Sequence, residues 1–457
     1  MSSDDTRYCD CLVVGGGFTG LAAAARLAQA GRKVIICEKS PALGGMASGF
    51  LVEGQLLEKF YHHWFASDTY VPELASAIGG TDNIVTRRTR TGMYYSEQFF
   101  KLSSPVDLLR FKALPFHDRI RTGVAALAIR RVKDWKRLEG VTASEWLKKI
   151  FGRKTYEVMW QPLLVGKFGK YADEISAVWF WNKLALRGSS RSSDGAEVLA
   201  YYKGGFAKFA NDVGEYVRSK GGDIHLNAPI ESLKPAPDGK VIAEGAAWRI
   251  VAGSVLITTP LPLAAPLLRG SIPAAYEERL QRIRYLGNTC LVLETSKSLT
   301  DLYWVNVNDP AFPFVGVIEH TNFEPTSSYG ARHIVYLSKY LPVDDPLYAM
   351  DATELLDYSL PHLKRMFPGF SRDIILASHV WREPYAQPLV ERNYSELIPP
   401  FETPVPNVFL ASMAQVYPED RGTNYAIREG FAAAVKIASA LDRSKTQLAK
   451  SEACVPI

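Results

Sequence analysis

The chain holds 457 residues, 47% hydrophobic and 22% charged, with a net charge of +5. That balance excludes an intrinsically disordered chain and supplies core material for two or three domains. The mild positive excess permits contact with an anionic substrate or membrane surface without demanding either.

Five cysteines (Cys9, Cys11, Cys37, Cys290, Cys454) form no C-x-x-C pair. A disulfide framework and a zinc site are therefore not expected, no metal is assigned, and a reducing compartment fits. The chain opens without an apolar leader and contains no run of about 18 apolar residues. The expected location is cytoplasmic, either free or resting on the inner face of a membrane.

In chain order, Asp10–Val14 reads as a short buried strand and residues 18–30 as a helix with small residues on one face, stopped by Gly31. Residues 33–38 (KVIICE) form a second, β-branched strand. Strand, glycine turn, helix and strand fit within about 30 residues, the size of one βαβ unit. Residues 105–150 read as helical, with a basic run. Residues 195–218 contain another helical stretch, opened by Lys203-Gly204-Gly205. Short strands follow within 222–257 and 288–340. The tail returns to a strand at 407–412, a turn, and a helix from Tyr425 to Leu441.

The turn Gly15-Gly16-Gly17-Phe18-Thr19-Gly20 fits G-x-G-x-x-G through Gly15, Gly17 and Gly20. Gly15 permits the tight turn, Gly17 lets a pyrophosphate approach the backbone, and Gly20 lets helix and strand pack closely. The following helix offers free N–H groups and its positive dipole end to phosphates. Glu38 ends the next strand 18 residues past Gly20, placed to accept hydrogen bonds from ribose hydroxyls.

The loop alone does not separate FAD from NAD. After Glu38-Lys39 comes Gly44-Gly45-Met46, a second glycine pair that resembles the extended fingerprint of FAD proteins of the glutathione-reductase structural class. No second G-x-G-x-x-G appears downstream, so a separate nicotinamide domain is not expected. More widely, the chain resembles the flavin amine oxidase and protoporphyrinogen oxidase superfamily, which also contains phytoene desaturases and UDP-galactopyranose mutase. Ala228-Pro229-Ile230 is similar to a segment whose apolar residue lies near the adenine. Val255–Pro260, with Thr259, is similar to the strand that returns under the dinucleotide. Glu419-Asp420-Arg421-Gly422-Thr423-Asn424-Tyr425 resembles the last flavin segment, a helix start facing the flavin pyrimidine.

Glu58–Phe65 is similar to the mutase segment with a histidine beside the isoalloxazine, here His63. The resemblance implies flavin contacts for His63 and Lys59, and a chemical role for either or both. The departures are Tyr61 and His62 where mutases carry small residues, and Met46 where amine oxidases carry arginine. Gly152-Arg153 and Lys167 resemble a mutase pattern in which Arg153 and Lys167 would bind a substrate phosphate; both also fit a solvated helix face. Trp179, Phe180 and Trp181 line an apolar channel or pack as core, and Trp304, Tyr336 and Tyr385 share that ambiguity.

Residues 110–137 hold nine Lys/Arg against Asp118 and Asp134. They form either a basic amphipathic face for an anionic membrane or a solvated substrate-domain helix. No nucleic-acid module accompanies the charge.

The resulting expectation is an α/β protein. A glutathione-reductase-type, discontinuous Rossmann domain for FAD spans 1–90, 201–270 and 401–445. A helical part (91–200) and a mixed sheet (271–400) form an inserted α+β substrate domain, and 446–457 is a tail. The resemblance implies a hydride equivalent passing from a small organic molecule, apolar or lipid-linked, to flavin N5. A redox-neutral, mutase-like isomerisation of a nucleotide- or lipid-linked sugar is the alternative.

Overall fold

The computed structural model describes residues 6–101, 105–129, 131–189, 197–246 and 248–453. Cys454 and residues 195–196 lie outside the described residues. Among the described residues, two seven-stranded sheets organise the chain.

In the first sheet, Asp223–His225, Val34–Cys37, Thr6–Val14, Trp248–Ile257 and Val408–Leu410 run parallel. Ser232–Pro235 and Val241–Gly245 extend it antiparallel. Every residue of Val34–Cys37 is buried, as a central strand covered on both faces requires. Val14 is the register partner of both Cys37 and Ile257, and Ile257 of Leu410. Four strands thus end at one level. The carboxyl ends of parallel strands are where such sheets open a crevice. The helix Phe18–Gln29 covers this sheet, and the helix Thr423–Ala453 packs on it so tightly that a Cβ on Gly430 would sit 2.3 Å from the Thr19 carbonyl oxygen.

The second sheet runs Ile375–Pro388, Tyr285–Thr295, His333–Leu341, Gly316–Glu319, Trp304–Val307, Thr91–Tyr95 and Gln98–Lys101. Its side chains alternate with period two. Leu291, Leu293, Val335, Leu337, Val305 and Val317 form one core cluster with Leu355, Leu356 and Leu363 of the helix Ala352–Met366. Cys290, Val292, Ile334, Tyr336 and Ile318 face the other way and join the core of the dinucleotide half. Helices Pro105–Arg110, Phe116–Ile129, Ala143–Phe151, Gln161–Phe168 and Ala177–Ser189 form the remaining subdomain.

Several elements differ from the sequence reading. Glu197–Tyr202, to which the sequence reading gave no element, is a strand that pairs with Ile84–Thr89; the helix opened by Lys203-Gly204-Gly205 runs Gly205–Ser219 as expected. Residues 91–101, grouped with the helices, form a hairpin in the substrate sheet, turned by Ser96 and Glu97 at φ 50° and 59°. The 14-residue strand Ile375–Pro388 was not foreseen, because Arg382, Glu383 and Pro384 interrupt its pattern. The last helix runs past Leu441 to Ala453, since no Gly or Pro lies between them to stop it.

Candidate functional site

The crevice begins at the Gly15–Gly20 turn. A Cβ on Gly20 would lie 2.1 Å from the Gly15 carbonyl oxygen, so only glycine lets the helix start this close to its strand. Gly17, the N-cap, is the opposite case: a Cβ there would meet nothing within 4 Å. Its surface faces open space beside the helix N-terminus, where Phe18 and Thr19 begin the first turn.

The second glycine pair folds onto the first. The Gly44 N–H donates to the Gly16 carbonyl at 2.8 Å, and Gly44 bridges Gly17. Gly44 takes φ 104°, a value L side chains rarely adopt. Gly45 and Met46 continue in a short 3₁₀ turn. Two loops far apart in pattern thus make one backbone-lined cradle.

Glu38 is buried beneath it. One carboxylate oxygen accepts the Gly16 N–H and the other the Ser40 N–H, both at 2.7 Å. A carboxylate has about four acceptor positions, so each oxygen retains capacity for a hydroxyl. The Glu38 carbonyl accepts the Ala228 N–H at 2.9 Å, which brings the buried Ile230 segment to the same end. Lys39 follows directly. Thr258 donates to the Val14 carbonyl at 3.0 Å. The buried hydroxyl of Thr259 has no hydrogen-bond partner among the described residues. An open glycine, a backbone cradle, a shielded carboxylate and an orphaned hydroxyl at the strand ends together fit a dinucleotide such as FAD.

The far wall is the start of the last helix. Gly422, Thr423 and Tyr425 sit at its first turn, whose N–H groups lack intrahelical partners. Asn424 is otherwise engaged: its side-chain oxygen accepts the Tyr70 and Val71 N–H groups at 2.9 and 3.2 Å, capping the helix Tyr70–Ala77.

The segment 58–65 crosses between the sheets. Lys59 Nζ lies 4.8 Å from the centre of the Trp381 ring on the second sheet. His63 Nδ1 is 2.9 Å from the Tyr303 hydroxyl, and its ring packs edge-on to Phe65, Tyr303 and Trp304. The His62 ring packs against Phe206, with ring centroids 5.2 Å apart. It donates Nδ1–H to the Phe60 carbonyl at 2.6 Å, and burial pushes its pKa down to about 4. Sequence reasoning missed Glu58, which is fully buried at the start of the helix Gly205–Ser219. Its carboxyl lies 2.7 and 2.8 Å from the Tyr201 hydroxyl and also accepts the Phe206 N–H. Burial raises its pKa to about 7.

Beside Gly422 is a second feature that the sequence did not reveal. Arg421 donates to Gln387 at 3.1 Å and to the Tyr340 hydroxyl at 2.6 Å. Lys167 Nζ sits 4.7 Å over the Tyr340 ring and 5.0 Å over Trp179. Lys183 pairs with Asp420 at 2.5 Å and lies 5.6 Å from the Trp179 ring centre. Three cations thus meet one carboxylate. Burial opposes ionisation of Asp420, yet Lys183, Lys167 and Arg421 together hold its pKa below the usual range. Burial lowers the pKa of Lys167, and Asp420 only partly restores it. The buried Trp179 indole N–H has no hydrogen-bond partner among the described residues. Lys167 and Arg421 are half-buried. Arg153 does not join them: it is exposed and pairs with Glu157 at 2.7 Å. Phe180 is core, and Tyr385 packs edge-on to Tyr285. The Asp420-Arg421-Gly422 run before the helix was visible in the sequence, but its partners on two distant strands were not.

A discontinuous Rossmann-type domain joined to a mixed-sheet and helical domain, with a dinucleotide cradle between them, defines a nucleotide-dependent redox class. The chain belongs to the flavin containing amine oxidoreductase family, which matches residues 18–438, and so falls among the FAD-dependent oxidoreductases. It is 22% identical over 298 residues to a zeta-carotene desaturase of Zea mays, covering 58% of this chain and 51% of that protein. The chain spans about half the length of most of the curated relatives it matches. Its fold is similar to a candidate protoporphyrinogen oxidase from Exiguobacterium (TM-score 0.73, 17% identity, 96% of this chain and 99% of that one). It is also similar to reduced UDP-galactopyranose mutase (TM-score 0.73, 12% identity, 96% and 98%). Among the described residues, no helix is long and apolar enough to cross a membrane.

Proposed function

We propose that the protein binds FAD in a dinucleotide domain of the glutathione-reductase type and oxidises an organic substrate that carries an anionic group. The observation that carries this reading is the cationic pocket beside Gly422. Lys167, Lys183 and Arg421 face a single carboxylate, Asp420, in a region where burial penalises every unpaired charge. An incoming carboxylate or phosphate would relieve that imbalance, and the free Trp179 N–H adds a donor.

The backbone of Gly15–Gly17 and Gly44–Gly45 would hold the pyrophosphate, Glu38 the ribose hydroxyls, Ile230 the adenine, and the helix start at Thr423 the pyrimidine edge. Bound FAD supplies a two-electron acceptor for a hydride equivalent from the substrate. Lys167 and Arg421 orient the anion. Trp304, Tyr336 and Tyr340 exclude water above the sheet, and Lys59 adds positive charge on the same sheet face. His63 Nδ1 exchanges a proton with the Tyr303 hydroxyl, while burial keeps His62 neutral. The same pocket would serve a redox-neutral reaction on a phosphate-linked sugar, the second reading.

An anaerobic screen tests this. Carboxylate- and phosphate-bearing compounds are compared with their neutral esters, following loss of the flavin visible band. Bleaching by an anionic compound and not its ester is expected. Turnover seen only after pre-reduction, without net redox change, selects the second reading. Bleaching by neutral compounds, unaffected by Lys167→Met, overturns the anionic assignment.

A further inference from the structure

The helix Phe116–Ile129 is packed with its less apolar face inward. Asp118, Thr122, Ala125 and Ile129 are buried. Phe116, Ile120, Val124 and Leu127 are 66, 45, 63 and 62% exposed. At 3.6 residues per turn these four fall within about 80° of the helix circumference, a continuous outward stripe. The preceding helix Pro105–Arg110 adds exposed Val106 and Leu109. Arg119 clips the two helices together, donating to the Leu109 and Leu114 carbonyls at 2.7 Å each. Single exposed apolar residues need no explanation, but six on two joined helices form a patch.

The surround is basic. Arg110, Lys112, Arg121, Arg131, Lys133 and Lys136 are exposed. Of the two acids in 110–137, Asp118 is buried and Asp134 is paired with Arg137 at 2.8 Å. A second copy docked on this face about a two-fold axis would set one basic rim against another. A bilayer with anionic headgroups meets both features: the rim neutralises headgroup charge and the stripe enters the acyl boundary.

We infer that the Phe116–Ile129 helix and its basic rim form a docking surface for an anionic lipid bilayer, on which the protein lies without crossing. The surface is independent of the reaction chemistry. It belongs to the helical subdomain that also carries Lys167 and Lys183, so docking brings the cationic pocket's covering helices close to the lipid.

Co-sedimentation of the full chain with vesicles tests the inference. Vesicles of phosphatidylcholine with phosphatidylglycerol are compared with phosphatidylcholine alone, at low and high salt. Binding to the anionic vesicles is expected to be tighter by roughly tenfold or more and to weaken with salt. Ile120→Glu/Val124→Glu, both at exposed positions, should abolish binding with flavin content and Tm unchanged. Lys112→Gln/Lys133→Gln/Lys136→Gln should remove the preference for anionic lipid. Absence of wild-type binding, or equal binding by the Glu variant, overturns the inference. So does a solution dimer that the Glu variant dissociates while no vesicle is bound, because the stripe would then be a protein interface.

Discussion

The dinucleotide cradle and the cationic cluster beside Gly422 are built in opposite ways. The cradle is local: one turn, one strand-end acid and one second glycine pair within residues 15–45. The pocket is assembled from Lys167, Lys183, Tyr340, Gln387 and Arg421, which belong to separate helices and strands. Backbone geometry suits a constant ligand in the first region; in the second, under the proposed function, side chains gathered from afar would select the substrate.

The two regions should therefore fail differently under mutation. The largest effect is expected within the cradle itself. Gly20→Val forces a side chain against the Gly15 carbonyl, and both stability and bound flavin should fall, by about 1–3 kcal/mol or more for the fold. Gly17→Val meets open space, so Tm without cofactor should hold while flavin occupancy collapses. Equal loss of fold in both variants would dissolve the distinction between a packing glycine and a ligand-facing one.

This difference also explains what could be read from the sequence. Gly15, Gly17, Gly20 and Glu38 obey a spacing rule because one turn and one strand determine their positions. The meeting of Lys167 with Arg421 obeys none, since it depends on how helices and a seven-stranded sheet close on each other. The strand Glu197–Tyr202 carried no clear signal, because it is short and abuts a true helix. Arg153 and Lys167 are close in the sequence, but helix phase sends one to solvent and the other inward.

In the pocket, Lys167→Met should raise KM for the anionic substrate about tenfold, a loss of ~1.4 kcal/mol typical of a charge-assisted contact, with flavin retained. Arg153→Gln, removing an exposed pair, should change stability by under about 1 kcal/mol and KM not at all.

Glu58 supplies a smaller, pH-dependent effect. Its pKa is raised from 4.5 to about 7 by burial. Between those values the folded chain keeps a proton that the unfolded chain has released. Its contribution to stability is therefore full below 4.5 and is lost as pH rises through 7. Glu58→Gln should flatten the fall in Tm between about pH 5 and 8; an unchanged slope would mean another group carries it.

Everything above turns on the glycine cradle holding FAD. The most direct measurement is the visible absorption spectrum of the purified protein, with release and identification of the cofactor, for wild type and Gly17→Val side by side. A yellow wild type holding FAD and a folded but colourless variant are expected. A colourless wild type that neither binds added FAD nor gains Tm from it, or a variant with undiminished flavin, would contradict it.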